Sequence, residues 1–260
     1  MDNFTITQEP GFQSIHMKWS AANPGFLPST FDVVTRALRK ADSDPNIACT
    51  VFFGVPRCFC LGTNVEAFAD LDHSGQLSEI VQLFFQALIN AKKPLIAAVD
   101  GTSVGLGMTM LCHFDAVFAT PESLFKAPFV EWGLCPEAAS SLLLPEALGY
   151  RKAFDIFCLG WQMTAAEAEQ LGFITRVVPR TEVDQTTRAA ARRLSQLSEK
   201  SLAVTRELMR HQRTKLVRRS KTETTVFQSL LNDVATQRRL KVMSRATKML
   251  LAKDLPTMTA

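Results

Sequence analysis

The run from Lys93 to Gly149 constrains this chain more tightly than any other. It opens on an apolar strand, Pro94–Val99, that ends at the turn Asp100-Gly101. Glycines at 101, 105 and 107 follow, in a loop leading into a short helix expected over Thr102–Cys112. A second strand is expected over Asp115–Ala119, and a long loop, 120–141, then carries Glu137 to the start of another helix. Strand, glycine loop and helix N-terminus turn backbone N–H groups toward one point. That arrangement suits an anion, or an oxygen that gains negative charge during a reaction.

The flanking sequence is legible as support for this run. Phe4–Thr7 and Phe12–Trp19 alternate about Glu9-Pro-Gly and predict a hairpin, with Ile15, Met17 and Trp19 on one face. A helix follows Asn23-Pro-Gly25, with Ser29 or Thr30 as its N-cap and Phe31, Val34 and Leu38 inward. Ile47–Val55 is nearly all apolar, as for a strand covered on both faces. Apolar residues then recur every four positions from Gln76 to Ala91, a helical stripe. Further helices are expected about 145–148, 152–159 and 165–171, the last capped by Thr164, before a strand Phe173–Val178. After residue 180 only helical patterns remain: Val183–Leu197, Ser201–Gln212 and Thr222–Leu251. The reading is an α/β core over residues 1–197 and a helical region over 198–260. The apolar positions of the last helix (Val226, Phe227, Leu230, Leu231, Val234, Leu240 and Met243) call for a partner surface.

Composition narrows the function classes. With 47% apolar and 21% charged residues, 260 residues suffice for a large core, as in a globular enzyme. The net charge of +4 is concentrated after residue 180, where the one aromatic residue is Phe227. Without interleaved aromatics this basic region argues against single-stranded nucleic acid as a partner. Cys58-x-Cys60 has no second cysteine pair or histidine pair to complete a zinc site, so no metal is expected. The six cysteines lack framework spacing and fit free thiols in a reducing compartment. No run is long enough to span a membrane, and the termini carry no recognisable address, so a cytoplasmic location is expected.

Two chemistries compete at the glycine loop. Gly101-Thr-Ser103-Val-Gly105 has the form of a nucleophile elbow, but the later histidines, His113 and His211, are poorly placed for a triad. The loop 120–141 offers three carboxylates instead: Glu122 in a polar turn, Glu131 before Trp132, and Glu137 among small residues. A carboxylate in a first helical turn commonly just complements the helix dipole, and local sequence alone leaves that open for Glu137.

In combination, these segments resemble the crotonase (enoyl-CoA hydratase/isomerase) superfamily over about residues 4–195. The marks are Phe59-Cys-Leu-Gly62-Thr63 after the strand at 47–55, Lys93-Pro-Leu-Ile-Ala-Ala-Val-Asp-Gly-Thr-Ser-Val-Gly-Leu-Gly107, Cys112-His-Phe-Asp115, Phe125-Lys-Ala-Pro-Phe129-Val-Glu-Trp-Gly133-Leu-Cys-Pro-Glu137, and Thr164-Ala-Ala-Glu-Ala-Glu-Gln-Leu-Gly172. The resemblance implies a spiral of ββα units with a C-terminal helical region that makes a homotrimer or a dimer of trimers. It also implies an acyl-CoA thioester as ligand, with coenzyme A present only as part of the substrate. The thioester oxygen is expected between the backbone N–H groups of Thr63 and Leu106, in a pocket of Leu61, Gly62, Gly105, Phe129, Trp132 and Leu134.

Departures from the family pattern select a branch. Family hydratases place one glutamate where this chain has Thr109 and a second where it has Phe129. Cys135-Pro-Glu137-Ala-Ala-Ser-Ser141 instead resembles the peroxisomal-type Δ3,Δ2-enoyl-CoA isomerases, which makes Glu137 the expected catalytic base. Ala138 and Asn64 depart from that branch. The alternatives are hydratase-like chemistry through Glu131 and an acyl-CoA-binding scaffold without turnover. Arg57, beside the first glycine turn, is the nearest candidate for the coenzyme's phosphates.

Overall fold

The computed structural model describes residues 4–20, 25–63, 76–210 and 212–242. The N-terminal hairpin forms as its alternation predicts: β1 (Phe4–Glu9) runs antiparallel to β2 (Gly11–Met17). Ile15, Met17 and Trp19 all point into the core, and the Trp19 indole N–H donates to the Phe59 carbonyl at 2.6 Å. The first helix, α1 (Pro28–Ser43), begins earlier than Ser29 or Thr30 as cap would require. Pro28 takes the first helical position, where its missing N–H is harmless, and the Thr30 hydroxyl accepts from Leu27 N–H at 3.1 Å.

From there the chain winds between two sheets. β3 (Ile47–Phe53), β5 (Leu95–Val99) and β7 (Ala116–Ala119) join β2 in parallel in one six-stranded sheet that ends on β10 (Arg176–Val177), in the order β1-β2-β3-β5-β7-β10. Each of these strands is followed by a three-residue strand of the second sheet: β4 (Cys58–Cys60), β6 (Thr102–Val104) and β8 (Leu124–Lys126). The second sheet has the order β4-β6-β8-β9, where β9 (Met163–Thr164) pairs antiparallel with β8. Each turn of the spiral thus gives one strand to each sheet. Thr102 belongs to a strand, so the helix expected over Thr102–Cys112 is shortened to α3 (Leu106–Thr109) and a 3₁₀ turn, Met110–His113. The long loop 120–141 also contains β8.

The larger sheet is covered on both faces, as its unbroken apolar strands require. One face meets α2 (Gln76–Asn90), whose Phe84, Phe85 and Leu88 are fully buried with Phe26 and Phe31 of the N-terminal segment. The other meets α7 (Val183–Ser195) through Phe12, Val51, Phe53, Ile96, Phe118 and Ala191. Full burial of side chains of this size contributes roughly 1.5–3 kcal/mol each. Between β8 and α7 along the chain come α4 (Ser140–Leu148), α5 (Tyr150–Cys158), α6 (Ala165–Gln170) and β10, which joins the larger sheet. Thr164 caps α6 as expected, accepting from Glu167 N–H while the Glu167 carboxylate accepts from Thr164 N–H.

Among the described residues the C-terminal helices are α8 (Glu199–Met209), α9 (Arg213–Leu231) and a helical segment over 234–242. Buried Arg206 of α8 donates to Asp115 at 2.7 Å and to the Ala91 carbonyl at 2.6 Å, tying this region to the ends of α2 and β7. Leu231 and Leu240 are buried, and Phe227 and Leu230 pack on the main core. This chain therefore satisfies several of the apolar positions that seemed to require a partner. Val226 and Val234 stay exposed, and Met243 lies outside the described residues.

Candidate active site

The site grows from the ends of two neighbouring short strands. β4 and β6 are paired, with Cys60 beside Ser103, so the residues that follow them also run side by side. Gly62 turns at φ +87°, and a β-carbon built there would start 3.4 Å from the Leu106 nitrogen. Gly105 takes φ 55° and ψ −119°, a conformation side chains disfavour, although nothing lies within 4 Å of where its β-carbon would be. Its glycine is needed for backbone angle and not for space. The Gly105 N–H is used up on the Lys126 carbonyl at 2.8 Å, while Leu106 N–H opens α3, where no intrahelical acceptor exists. Thr63 and Leu106 thus lie on adjoining turns, flanked by half-buried Leu61 and buried Gly62 and Gly105.

Glu137 meets this helix at its other end. The Thr109 hydroxyl donates to Glu137 Oε1 at 3.0 Å, one helical turn from Leu106. The same hydroxyl is 3.2 Å from the Gly105 carbonyl, so one proton serves two acceptors. Burial pushes the Glu137 carboxyl up to about 8. The Thr109 hydrogen bond works against that rise, and the charge of Glu223 adds to it. Glu137 does not lie in a first helical turn as expected. Helix α4 starts at Ser140, and Ala138 and Ala139 both take left-handed angles, φ 58° and 59°. The carboxylate is therefore held in a turn before the helix, which is why burial dominates over the dipole.

Tertiary contacts fix that turn. Ser140 N–H and hydroxyl both donate to the Glu137 carbonyl, at 3.0 and 2.6 Å. His113 Nε2 lies 2.6 Å from the Ala138 carbonyl. Burial holds His113 down to about 4, so it is neutral at physiological pH and donates that hydrogen bond. From α9, the Glu223 carboxylate accepts from the N–H groups of Ala139 and Ser141.

Of the pocket residues expected from sequence, Phe129 and Leu134 are buried in the same core cluster as Leu106 and Ala138, and Trp132 packs against it. The Trp132 indole N–H is buried without an acceptor among the described residues. Glu131 is not with them: it is exposed and ion-paired with Lys126 at 3.0 Å. Ser103 lies in the middle of β6, fully buried, and His113 is committed to Ala138, so no nucleophile elbow forms. Arg57 is exposed at φ 64°, its carbonyl accepting from Thr102 N–H. Among the described residues no group of histidine, cysteine or acidic side chains could hold a metal ion. Asn64 and His211 lie outside the described residues. Sequence reasoning missed two groups around Glu137: Thr109, noted only for the glutamate it replaces, and Glu223. The latter had one signal, as the single carboxylate between Glu207 and Asp233 in a basic stretch.

A two-sheet spiral with paired glycine turns, one of them opening a helix whose far end meets a buried carboxylate, defines a class of protein, and the chain belongs to it: residues 8–246 match the enoyl-CoA hydratase/isomerase family. Among individual relatives, it is 29% identical over 219 residues to enoyl-CoA delta isomerase 3, peroxisomal, of Mus musculus, covering 81% of this chain and 68% of the relative. It is 31% identical over 174 residues to probable enoyl-CoA hydratase echA8 of Mycobacterium bovis, covering 67% of this chain and 68% of the relative. The solved structure of OdaA from Pseudomonas aeruginosa superposes with a TM-score of 0.87 at 28% identity, covering 94% of this chain and 99% of that one. Among the described residues no helix is long and apolar enough to cross a membrane.

Proposed function

We propose that this chain is a Δ3,Δ2-enoyl-CoA isomerase. The observation that carries the reading is a buried carboxylate, Glu137, raised to about 8 and paired with a hydroxyl. In the proposed reaction Glu137 removes a proton from C2 of a 3-enoyl-CoA. Electrons move onto the thioester oxygen, which the Thr63 and Leu106 N–H groups stabilise as the dienolate forms. Glu137 then returns the proton to C4, leaving the double bond between C2 and C3. One base on one face does both steps, so no second carboxylate is required. Hydration is harder to support: positioning and ionising water needs more polar groups than Thr109 and buried Phe129 supply, and Glu131 is engaged with Lys126. Incubation with 3-hexenoyl-CoA tests the reading. The 2-enoyl product is expected. A hydratase needs the C2–C3 double bond, so water addition to 2-hexenoyl-CoA without turnover of 3-hexenoyl-CoA would favour hydratase chemistry, and no reaction with either would favour a binding scaffold.

The Thr109 hydroxyl gives this proposal a pH signature. It donates to the Glu137 anion, so Thr109→Val should raise the carboxyl above its present value of about 8. The acid limb of kcat/KM, which reports the free enzyme, is expected to move up by roughly half to one pH unit. A limb that stays in place would mean the hydroxyl donates to Gly105 O instead.

Residues 198–260 are proposed as an assembly region acting in a homotrimer or dimer of trimers, supported by exposed Leu208 and Met209 on α8 and Val234 and Val242 beyond α9. Sedimentation at micromolar concentration should give at least three times the chain mass, and a well-folded monomer would refute it. Six free cysteines, three of them fully enclosed, fit a reducing compartment, and a cytoplasmic location is part of the proposal.

A further inference from the structure

We infer that Glu223, on the C-terminal helix α9, is a positioning residue for Glu137: its carboxylate holds the turn that aims the base and sets a second negative charge behind it. The inference rests on Glu137 being the base. Two consecutive alanines, Ala138 and Ala139, hold left-handed backbone angles directly after Glu137. A non-glycine residue in that region is strained and persists only where its surroundings impose it. Glu223 imposes it. Its Oε2 accepts from Ala139 N–H at 2.5 Å and its Oε1 from Ser141 N–H at 3.0 Å, so one side chain bridges both sides of the α4 start. An anion in this nest of backbone N–H groups is favoured by its geometry and by the helix dipole.

The rest of α9 is built to present that carboxylate. Ser220, Glu223 and Thr224 form a polar stripe where a helix against a core would usually be apolar. Ser220 accepts from the Gln82 side-chain amide of α2 at 3.4 Å, and Thr224 donates to the Gln82 side-chain oxygen, Oε1, at 2.8 Å. The Glu223 carbonyl receives Cys135 Sγ at 3.7 Å. Each polar group on the stripe is thus matched, and α9 is fixed in rotation with Glu223 facing the turn.

The charged and titratable groups around Glu223 come from several elements. Arg219, one turn back on α9, donates to the Ser141 hydroxyl at 3.3 Å and partly offsets the Glu223 charge. Cys112 of the 3₁₀ turn and Cys135 of the loop face it as half-buried thiols, both raised by burial first and by Glu223 second. Glu137 feels the same negative charge, which helps keep it a strong base. Burial raises Glu223 itself, and the N–H donors of Ala139 and Ser141 oppose that rise.

The test compares Glu223→Gln and Glu223→Asp in the full chain, with kcat and KM for 3-hexenoyl-CoA at pH 9 and a carbon-13 NMR titration of the Glu137 carboxyl. Glu223→Gln keeps the shape, loses the charge and turns one acceptor into a donor. It is expected to lower kcat by about 10- to 100-fold with KM within about three-fold, because small errors in aiming a base are expensive. The Glu137 titration should move down by about one pH unit as the neighbouring charge is lost. Glu223→Asp keeps the charge but not the reach, so kcat should fall while the Glu137 titration stays where it is. If Glu223→Gln does not fold, Glu223→Asp decides, and wild-type kcat there overturns the inference. So does a folded Glu223→Gln whose melting temperature drops while kcat and the Glu137 titration stay unchanged, since Glu223 is then a helix cap and nothing more. Should the wild-type chain fail to isomerise, the assigned function falls. A downward titration shift in Glu223→Gln would then still support the coupling of the two carboxylates.

Discussion

Glu137→Gln is expected to reduce isomerisation of 3-hexenoyl-CoA by about 10²–10⁴-fold, the range a positioned general base supplies. The substitution keeps the side chain's size and can still accept from Thr109, so the binding of a saturated acyl-CoA should change by no more than a few-fold. Glu131→Gln removes a surface ion pair with Lys126 and should leave turnover within about two-fold. The reverse pattern, with Glu131 sensitive and Glu137 silent, would move the base to Glu131. Stability supplies a second readout that needs no substrate. The folded chain holds the Glu137 proton up to about pH 8, against 4.5 for an ordinary glutamate. Between those values the folded state binds more protons than the unfolded one, so stability falls as pH rises through that window. The shift sets a ceiling of about 5 kcal/mol on the penalty carried above pH 8. Glu137→Gln removes it, so the variant should melt higher than the wild type at pH 9 and close to it at pH 4. Equal melting temperatures at both pH values would mean that the carboxylate is solvated in the folded chain.

The site was only partly legible beforehand, because its parts meet through contacts far apart in sequence. The hairpin, the stripe of α2 and the Thr164 cap each depend on neighbours within a few positions, and each follows from pattern. The second sheet does not. Its strands β4, β6 and β8 have three residues each, too few for a period of two to declare itself, and their pairing joins residues about forty and twenty positions apart. Cys58–Cys60 therefore passes for part of a turn and Leu124–Lys126 for loop. The Glu137 turn is hidden for a related reason. Left-handed backbone is usually announced by glycine or asparagine, but here two alanines adopt it, held by His113 from one side and Glu223 from the other. Resemblance to a family can mark Glu137, Thr63 and Leu106 by their place in a motif. Nothing local marks Thr109, and Glu223 is marked only by standing alone among basic residues; their partners lie 28 and 84 positions away.

Leu106→Pro should lower kcat/KM by about 10²–10³-fold, the effect of removing one oxyanion donor, worth ~3–4 kcal/mol of barrier. Few backbone N–H groups can be deleted so selectively. Leu106 opens α3, and proline is well accommodated at a first helical position because its ring presets the helical φ. The residue before it, Gly105, is not in the right-handed helical region that proline disfavours. No sheet bond is broken, since it is Gly105 N–H that reaches Lys126 O. The buried Leu106 side chain is lost as well, and Leu106→Ala isolates that contribution: the same large apolar group goes while the N–H stays. Leu106→Ala is expected to cost about 2–5 kcal/mol of stability and only a few-fold in turnover of the folded fraction. If alanine and proline impaired turnover equally, packing around the helix start would account for the loss, and the oxygen of the reacting thioester would have to be held by groups other than the Leu106 N–H.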